Sequence, residues 1–224
     1  MNEYIYLEFL IEDKSGGILI DEIMKKYAED REGIAYRVKS FRGIGKIPRK
    51  INKMSIIKSH KLLNDLPNYL KGLNNSLKGI PYNKKAIFVI LDSDDENCVS
   101  MKKSLLEMYD KLDVSIQVFF CIAIEEMEAW LLGDTAALTK AFPLAKRQVL
   151  QNYKQDSIVG TWELLADAIY KGGVIKLKEE SESYYEIGIQ KCFWAKEIGI
   201  HMDIRNNNSP SFRYFISKLD LVCD

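Results

Sequence analysis

The sequence has few residues of the types that carry zinc, disulfide or histidine-based chemistry. It has two histidines and four cysteines, which are far apart, and no pair of cysteines has CxxC spacing or a histidine nearby. These residues are His60, His201, Cys98, Cys121, Cys192 and Cys223. The pattern therefore disfavours a Ser-His-Asp or Cys-His catalytic arrangement, a structural zinc site and a disulfide framework.

The chain also lacks an excess of either charge and any apolar run of membrane length. Lys and Arg number 32, and so do Asp and Glu, so a nucleic-acid partner would have to be recognised by a local basic region. The first residues, MNEYIYLEFLIEDK, show neither the cationic start nor the cleavage site of a signal peptide. We expect a cytoplasmic protein with no membrane segment, and the sequence predicts no oligomeric state.

What is present in the first half is an alternation of strand and helix patterns. Four runs predict strands, at Tyr4–Ile11, Ile34–Phe41, Ile87–Leu91 and Ser115–Ile124. A turn at Ser15-Gly16-Gly17 and a helix to Tyr27 follow the first strand, and further helices are predicted around Lys58–Leu73, at Cys98–Leu112 and at Glu125–Leu132. This order predicts an α/β fold, with a mostly parallel, Rossmann-like sheet flanked by helices.

From about Gly133 the pattern changes to helices separated by short breaks. The predicted helices are Thr135–Phe142, Leu144–Tyr153, Thr161–Lys171, Tyr184–Ile198 and Ser211–Leu219. We therefore predict an α/β domain over residues 1–133 and a mainly helical extension, residues 134–224, packed on the sheet. A separate small subdomain is the alternative.

Acidic residues follow three of the predicted strands. The stretch AIFVILDSDDEN ends a buried strand with Asp92 and Asp94, and Glu12 ends the first strand. After the fourth strand come Glu125, Glu126 and Glu128. Because the carboxyl ends of parallel strands meet at one edge of a sheet, these carboxylates are expected to converge and to bind Mg²⁺ or Mn²⁺. The alternative is a set of solvated acidic turns that cap helices, and EEMEAW would then simply open a helix with Trp130 in the core.

A local basic region lies between Ala35 and Asn64, where there is no acidic residue. The candidate nucleic-acid contacts within it are Arg42, Lys46, Arg49 and Lys50. Cations on a loop that contains glycine can follow a phosphate backbone closely, although an ordinary solvated surface has the same composition. The GIGK stretch is not a nucleotide-binding P-loop, because Ser40 stands where the first glycine is required and Ile47 follows the lysine.

The stretch EDKSGG that begins at Glu12, joined to DSD at residues 92–94, resembles the TOPRIM arrangement of topoisomerases, primases and overcoming-lysogenization-defect nucleases. That resemblance implies a role for Glu12 in acid-base chemistry or metal binding, and magnesium binding by Asp92 and Asp94. Asp13 is a departure, since many TOPRIM proteins have glycine there.

Further blocks extend the resemblance over nearly the whole chain. FVILDSDDENC, IAIEEMEAWLLGD and NSPSFRYF together resemble a widespread bacterial TOPRIM-like family, the domain of unknown function 4276, which is often associated with ATPase partners in defence-type gene neighbourhoods. The resemblance implies a metal-dependent nuclease or phosphodiester hydrolase, with an ATPase partner and a role in bacterial defence.

Other functions stay open. The chain could be a catalytically inactive module that binds an ATPase or nucleic acid. Phosphoaspartate chemistry ranks below both, because the DxD follows a late strand and no accompanying Lys/Thr set can be assigned. No tyrosine is singled out as a topoisomerase-type nucleophile, so hydrolysis is favoured over strand passage.

Overall fold

A four-stranded parallel sheet forms the centre of the protein in a computed structural model that describes residues 3–48, 60–157 and 160–224. The strands are β1 (Ile5–Ile11), β2 (Ile34–Ser40), β3 (Lys84–Asp92) and β4 (Gln117–Ala123), in the order β2-β1-β3-β4. Each neighbouring pair is parallel. The predicted α/β class and parallel sheet are confirmed.

Helices cover both faces of this sheet. They are α1 (Lys14–Ala28), α2 (Leu62–Lys78), α3 (Cys98–Tyr109), α4 (Glu128–Leu132), α5 (Thr135–Ala141), α6 (Arg147–Asn152), α7 (Thr161–Ile169), α8 (Gly173–Glu180), α9 (Tyr184–Gly199) and α10 (Pro210–Cys223). One hydrophobic core joins one sheet face to α1 and the C-terminal helices, and a second core joins the other face to α2 and α3. Within the described part of the chain, no helix combines the length and apolar character that crossing a membrane requires.

An aromatic ladder attaches the C-terminal helices to the sheet. Phe9, Phe88 and Phe119 are register partners on β1, β3 and β4, and their ring centroids lie 5.2 and 5.0 Å apart. Phe215 of α10 packs edge-on against Phe88 at 5.9 Å, and Trp130 of α4 stacks on Phe215 at 5.3 Å. Burying such large rings from both halves joins residues 134–224 to the sheet in one core. The proposed domain boundary itself stays a prediction.

The first helix begins earlier than the sequence indicated. Ser15, Gly16 and Gly17 do not form a turn but lie in the first turn of α1, where Asp13 is the N-cap and accepts from the Gly16 backbone N–H at 2.7 Å. A Cβ at Gly17 would lie 2.0 Å from Ser40 Oγ. These glycines therefore allow α1 to pack closely against β1 and β2.

Other boundaries also differ from the predictions. The helix around Lys58–Leu73 is α2, which begins at Leu62 and continues to Lys78, while Lys58 lies outside the described residues. The pattern missed α8, whose first residue is Gly173, because that helix is short and largely polar. The helix after β4 begins at Glu128 instead of Glu125, since Glu125 has a φ of 70° that no α-helix accepts.

The order of the strands creates a crevice between β1 and β3. From β1 the chain passes through α1 to β2 on one side, whereas from β3 it passes through α3 to β4 on the other side. The helices α1 and α3 belong to opposite cores, so they leave the sheet on opposite faces. In open α/β sheets this switch point, at the carboxyl ends of the strands, is where ligands bind.

Candidate functional site

Glu12 and Asp92 meet at the switch point. Glu12 directly follows β1, Asp92 ends β3, and the backbone N–H of Asp92 donates to Oε2 of Glu12 at 3.1 Å. The Oδ1 atom of Asp92 is buried and has no hydrogen-bond partner in the described part of the chain. Two carboxylates that are distant in sequence therefore face one small volume, as the strand-end argument predicts.

Burial and mutual repulsion both act on this pair. Burial raises the pKa of Glu12 to about 7, although the hydrogen bond from Asp92 lowers it, and the charges of Asp94 and Asp13 raise it again. Burial also raises the pKa of Asp92 well above its usual range, and the charges of Glu12 and Glu128 add to that effect. Such a cluster favours either protons or a cation.

Asp94 lies at the exposed side of the same edge. Its φ is 45°, in the left-handed region, and its backbone N–H donates to the Glu125 carbonyl at 2.9 Å. The buried Ser93 beside it accepts from the Glu125 N–H through Oγ at 3.0 Å. These bonds hold the loops after β3 and β4 together. Asp94 as a residue is exposed, but partial burial of its carboxyl group raises the pKa of that group, and the charge of Glu126 raises it further.

Glu125 and Glu126 already have protein partners. Oε2 of Glu125 accepts from the Tyr153 hydroxyl at 3.3 Å. Oε2 of Glu126 accepts from the Thr161 hydroxyl and from the Trp162 backbone N–H, both at 3.0 Å, and so caps the start of α7. The structure thus uses an oxygen of each to fix helical elements, and we do not carry either residue into the proposed ligand set.

Glu128 forms a buried ion pair with Lys191, a residue that the sequence interpretation missed. Lys191 Nζ lies 3.2 Å from Glu128 Oε1, and the two side chains are 17% and 3% exposed. Glu128 Oε2 is buried and unpartnered among the described residues. Burial raises the pKa of Glu128 to about 7, although Lys191 lowers it.

Lys191 is the cation of the carboxylate cluster. Burial alone would lower its pKa, but the charges of Glu128, Asp92, Asp13 and Glu126 outweigh burial and raise it, so the ammonium group stays protonated. A signal for it exists in the sequence. Lys191 lies at helical spacing in the apolar series Ile187, Trp194 and Ile198, where a lysine is unexpected on a core-facing stripe.

The donor chemistry at the switch point fits a hard divalent cation. Across residues 3–48, 60–157 and 160–224, no group of three or more His, Cys, Asp or Glu side chains is positioned to hold a metal ion. Magnesium, however, is usually bound by one or two carboxylates together with water and substrate phosphates. Glu12 and Asp92, whose Oδ1 has no hydrogen-bond partner among the described residues, meet that requirement, and Asp94, whose charge acts on Glu12, lies at the solvent side.

The basic candidates are only partly described. Arg49 and Lys50 lie outside the described residues, while Arg42 and Lys46 are exposed on the connection between β2 and α2. Lys46 and Asp94 both line a groove of about 1090 Å³ that runs between this connection and α3. One basic candidate therefore shares a surface groove with the acidic edge.

Comparison with known proteins identifies one family. The sequence matches the model described as Domain of unknown function (DUF4276) over residues 11–220. The chain belongs to this family. Searches of curated proteins and of solved structures gave no match. The matched region includes Glu12, Asp92 and Lys191, so all three belong to the family domain.

Proposed function

We propose that this protein is a metal-dependent phosphodiester hydrolase of the TOPRIM type, a nuclease that binds Mg²⁺ or Mn²⁺ through Glu12 and Asp92, with Asp94 at the solvent side. The observation that carries the proposal is the buried Oδ1 of Asp92 beside Glu12 at the switch point, which has no hydrogen-bond partner among the residues that the structure describes. A buried carboxylate oxygen without a donor is costly unless a ligand satisfies it.

The residues around the pair have separable tasks. When bound, a divalent cation would supply charge neutralisation for a phosphodiester and an activated water. Glu12 and Asp92 would hold that cation, and Glu12 would also take a proton at Oε1, since its Oε2 accepts from the Asp92 backbone N–H. Lys191 keeps a fixed positive charge behind the carboxylates and holds Glu128 in place.

A nucleic-acid substrate is supported by the groove that Lys46 and Asp94 share. A cation beside the acidic edge gives a phosphate backbone a favourable contact within a chain that has no net charge. An ATPase partner and a role in bacterial defence belong to the same proposal and rest on the family resemblance alone, and the cytoplasmic location expected from the sequence belongs to it as well.

The test is hydrolysis of labelled DNA and RNA by the purified protein with Mg²⁺ or Mn²⁺. Asp92→Ala and Glu12→Gln should each lose activity at least about 100-fold, because each removes a ligand of the cation. Asp95→Asn is the matched control, since Asp95 is an exposed acid three residues further along the same loop. Equal cleavage by all four proteins would reject the assigned site.

A second candidate, a non-catalytic binding module, is favoured by one specific feature. Lys191 already supplies a cation to the cluster, so the edge could be a purely structural charge network. Calorimetry separates the two. Binding of Mn²⁺ that disappears in Asp92→Ala supports the hydrolase, and no binding to either protein supports the module.

A further inference from the structure

The helix that carries Lys191 extends past the edge of the sheet. Near its end, a Cβ at Gly199 would lie 3.1 Å from Glu22 Cβ, and beyond it Lys26 Nζ donates to the Ile200 and Met202 carbonyls at 2.6 and 2.8 Å. Thus α9 runs beside α1 in the same direction. Lys191 itself lies at the level of Asp13, the N-cap of α1, whose charge acts on it. The first turns of α9 therefore lie beyond the start of α1, on the side of the carboxylates.

Tyr184 is on the same face of α9 as Lys191. Seven residues separate them, which is about two turns and about 10 Å along the axis. The Tyr184 ring side chain is 78% exposed, whereas Ile187, one turn further on, is 5% exposed. Gly188 lies between Tyr184 and Lys191 along this face. Among the described residues, a Cβ built at Gly188 would meet no atom of another element within 4 Å.

The space over Gly188 is open, and Gly188 lies along α9 between the turn that carries Tyr184 and the turn that carries Lys191. An exposed tyrosine usually has no specific partner. Here, however, the Tyr184 ring, the open space at Gly188 and the buried ammonium group of Lys191 lie on one face of α9. A planar group can lie on the ring while an anion attached to it reaches the site. Among phosphodiesters, an unpaired nucleotide has this combination, because its base shows a free π-face that a duplex hides.

We infer that Tyr184 is a stacking platform for an unpaired base, and that the substrate of the site is single-stranded nucleic acid whose backbone passes over Gly188 to Glu12 and Asp92. This inference rests on the proposed function and names its substrate class. Tyr185 provides a matched control: it is 76% exposed, but it is rotated by about 100° around the helix, away from Lys191.

The experiment measures binding, not cleavage. Two fluorescent strands of equal charge are titrated with Ca²⁺ replacing Mg²⁺ to suppress hydrolysis: an oligothymidylate about 12 nucleotides long, and an abasic strand of the same length. The proteins are the full chain, Tyr184→Ala, Tyr184→Phe, Tyr185→Ala and Gly188→Leu. The abasic strand keeps every phosphate contact and lacks only the bases.

Tyr184→Ala should weaken oligothymidylate binding about tenfold and leave abasic-strand binding within about twofold. Tyr184→Phe and Tyr185→Ala should bind both strands like the unaltered chain. Gly188→Leu, which has room to fold, should weaken binding of both strands because it blocks the passage. Equal loss for both strands in Tyr184→Ala, equal loss in Tyr185→Ala, or no oligothymidylate binding at all would overturn the inference.

Failure of this inference is distinguishable from failure of the proposed function. If Asp92→Ala abolishes hydrolysis while the Tyr184 variants bind normally, the hydrolase stands and the stacking role is overturned. If the strand-specific loss at Tyr184 is found while Asp92→Ala cleaves normally, base stacking stands and the assigned carboxylates do not.

Discussion

Two acidic regions meet at the same edge of the sheet, and their carboxylates have different surroundings. After β4, Glu126 accepts two hydrogen bonds from the start of α7, and Glu125 accepts one from Tyr153. The surroundings at the ends of β1 and β3 provide fewer donors. Within the described residues, Glu12 accepts a hydrogen bond from the Asp92 backbone N–H, and Asp92 Oδ1 accepts none.

These surroundings distinguish the acids that stabilise the fold from the acids that are left for a ligand. A carboxylate that accepts backbone and hydroxyl donors at a helix start stabilises the native chain whether or not a ligand is bound. A buried carboxylate without donors destabilises the chain until something binds it.

The largest expected effect is from Lys191→Met. It leaves Glu128 buried without its cation, and breaking such a pair costs about 3–5 kcal/mol in the free energy of unfolding. Urea denaturation monitored by circular dichroism measures it. The double variant Lys191→Met with Glu128→Gln should recover most of the loss, and a single variant as stable as the unaltered chain would contradict the pair.

Asp92→Asn should separate stability from cation binding. For the unaltered chain, Mn²⁺ at about 100 times its dissociation constant should raise the free energy of unfolding by about 2.7 kcal/mol. The variant should lose that gain, yet in chelator it should be at least as stable as the unaltered chain, because repulsion with Glu12 is removed. Thermal melts with and without Mn²⁺ measure both. If Asp92→Asn is less stable than the unaltered chain in chelator, Asp92 stabilises the fold itself, as Glu126 does.

The metal-free protein should become less stable as the pH rises from about 4.5 to about 7. Glu12 and Glu128 have pKa values raised from 4.5 to about 7 in the folded chain, so between these values the native state binds more protons than the unfolded state. Each of the two groups should lower the free energy of unfolding by about 2–3 kcal/mol over this range. Melts in chelator across this range measure the slope, and Mn²⁺ should flatten it. Glu128→Gln is the control, because it removes one of the two buried acids and should reduce the slope. Stability of the unaltered chain that rises with pH over this range would contradict the raised pKa values of Glu12 and Glu128.

The smallest effect is expected from Glu126→Ala, which removes the acceptor at the start of α7. We expect a loss of about 1 kcal/mol in the free energy of unfolding, and Mn²⁺ affinity within about twofold of the unaltered chain. Glu126→Gln keeps an acceptor oxygen and serves as the control. A loss of cation binding in both variants would move Glu126 into the ligand set.

The sequence predicted the sheet and the meeting of Glu12 and Asp92 because both follow from local patterns and one topological rule. Buried parallel strands read as apolar runs, and their carboxyl ends share an edge. The separate roles of Glu125, Glu126 and Glu128 could not be predicted, since the partner of each lies far along the chain: Tyr153, the start of α7, and Lys191.

The later sequence blocks that supported the family resemblance turn out to contact one another. Trp130 Nε1 donates to Ser211 Oγ at 2.9 Å, and Nδ2 of Asn207, the residue just before the second block, donates to the Trp130 carbonyl at 2.8 Å. A Cβ at Gly133 would lie 2.1 Å from Asn207 Oδ1. The blocks IAIEEMEAWLLGD and NSPSFRYF thus contribute contacts that join α4 to α10.

The most direct measurement is the anomalous scattering of a crystal soaked with Mn²⁺. We predict a peak within coordination distance, about 2.0–2.6 Å, of Asp92 Oδ1 and a Glu12 oxygen, with water completing the ligands. Two results would contradict the division between structural and ligand carboxylates. One is a crystal of the full chain that shows manganese only at other acids, and the other is a crystal that shows no manganese while Lys191 is still paired to Glu128.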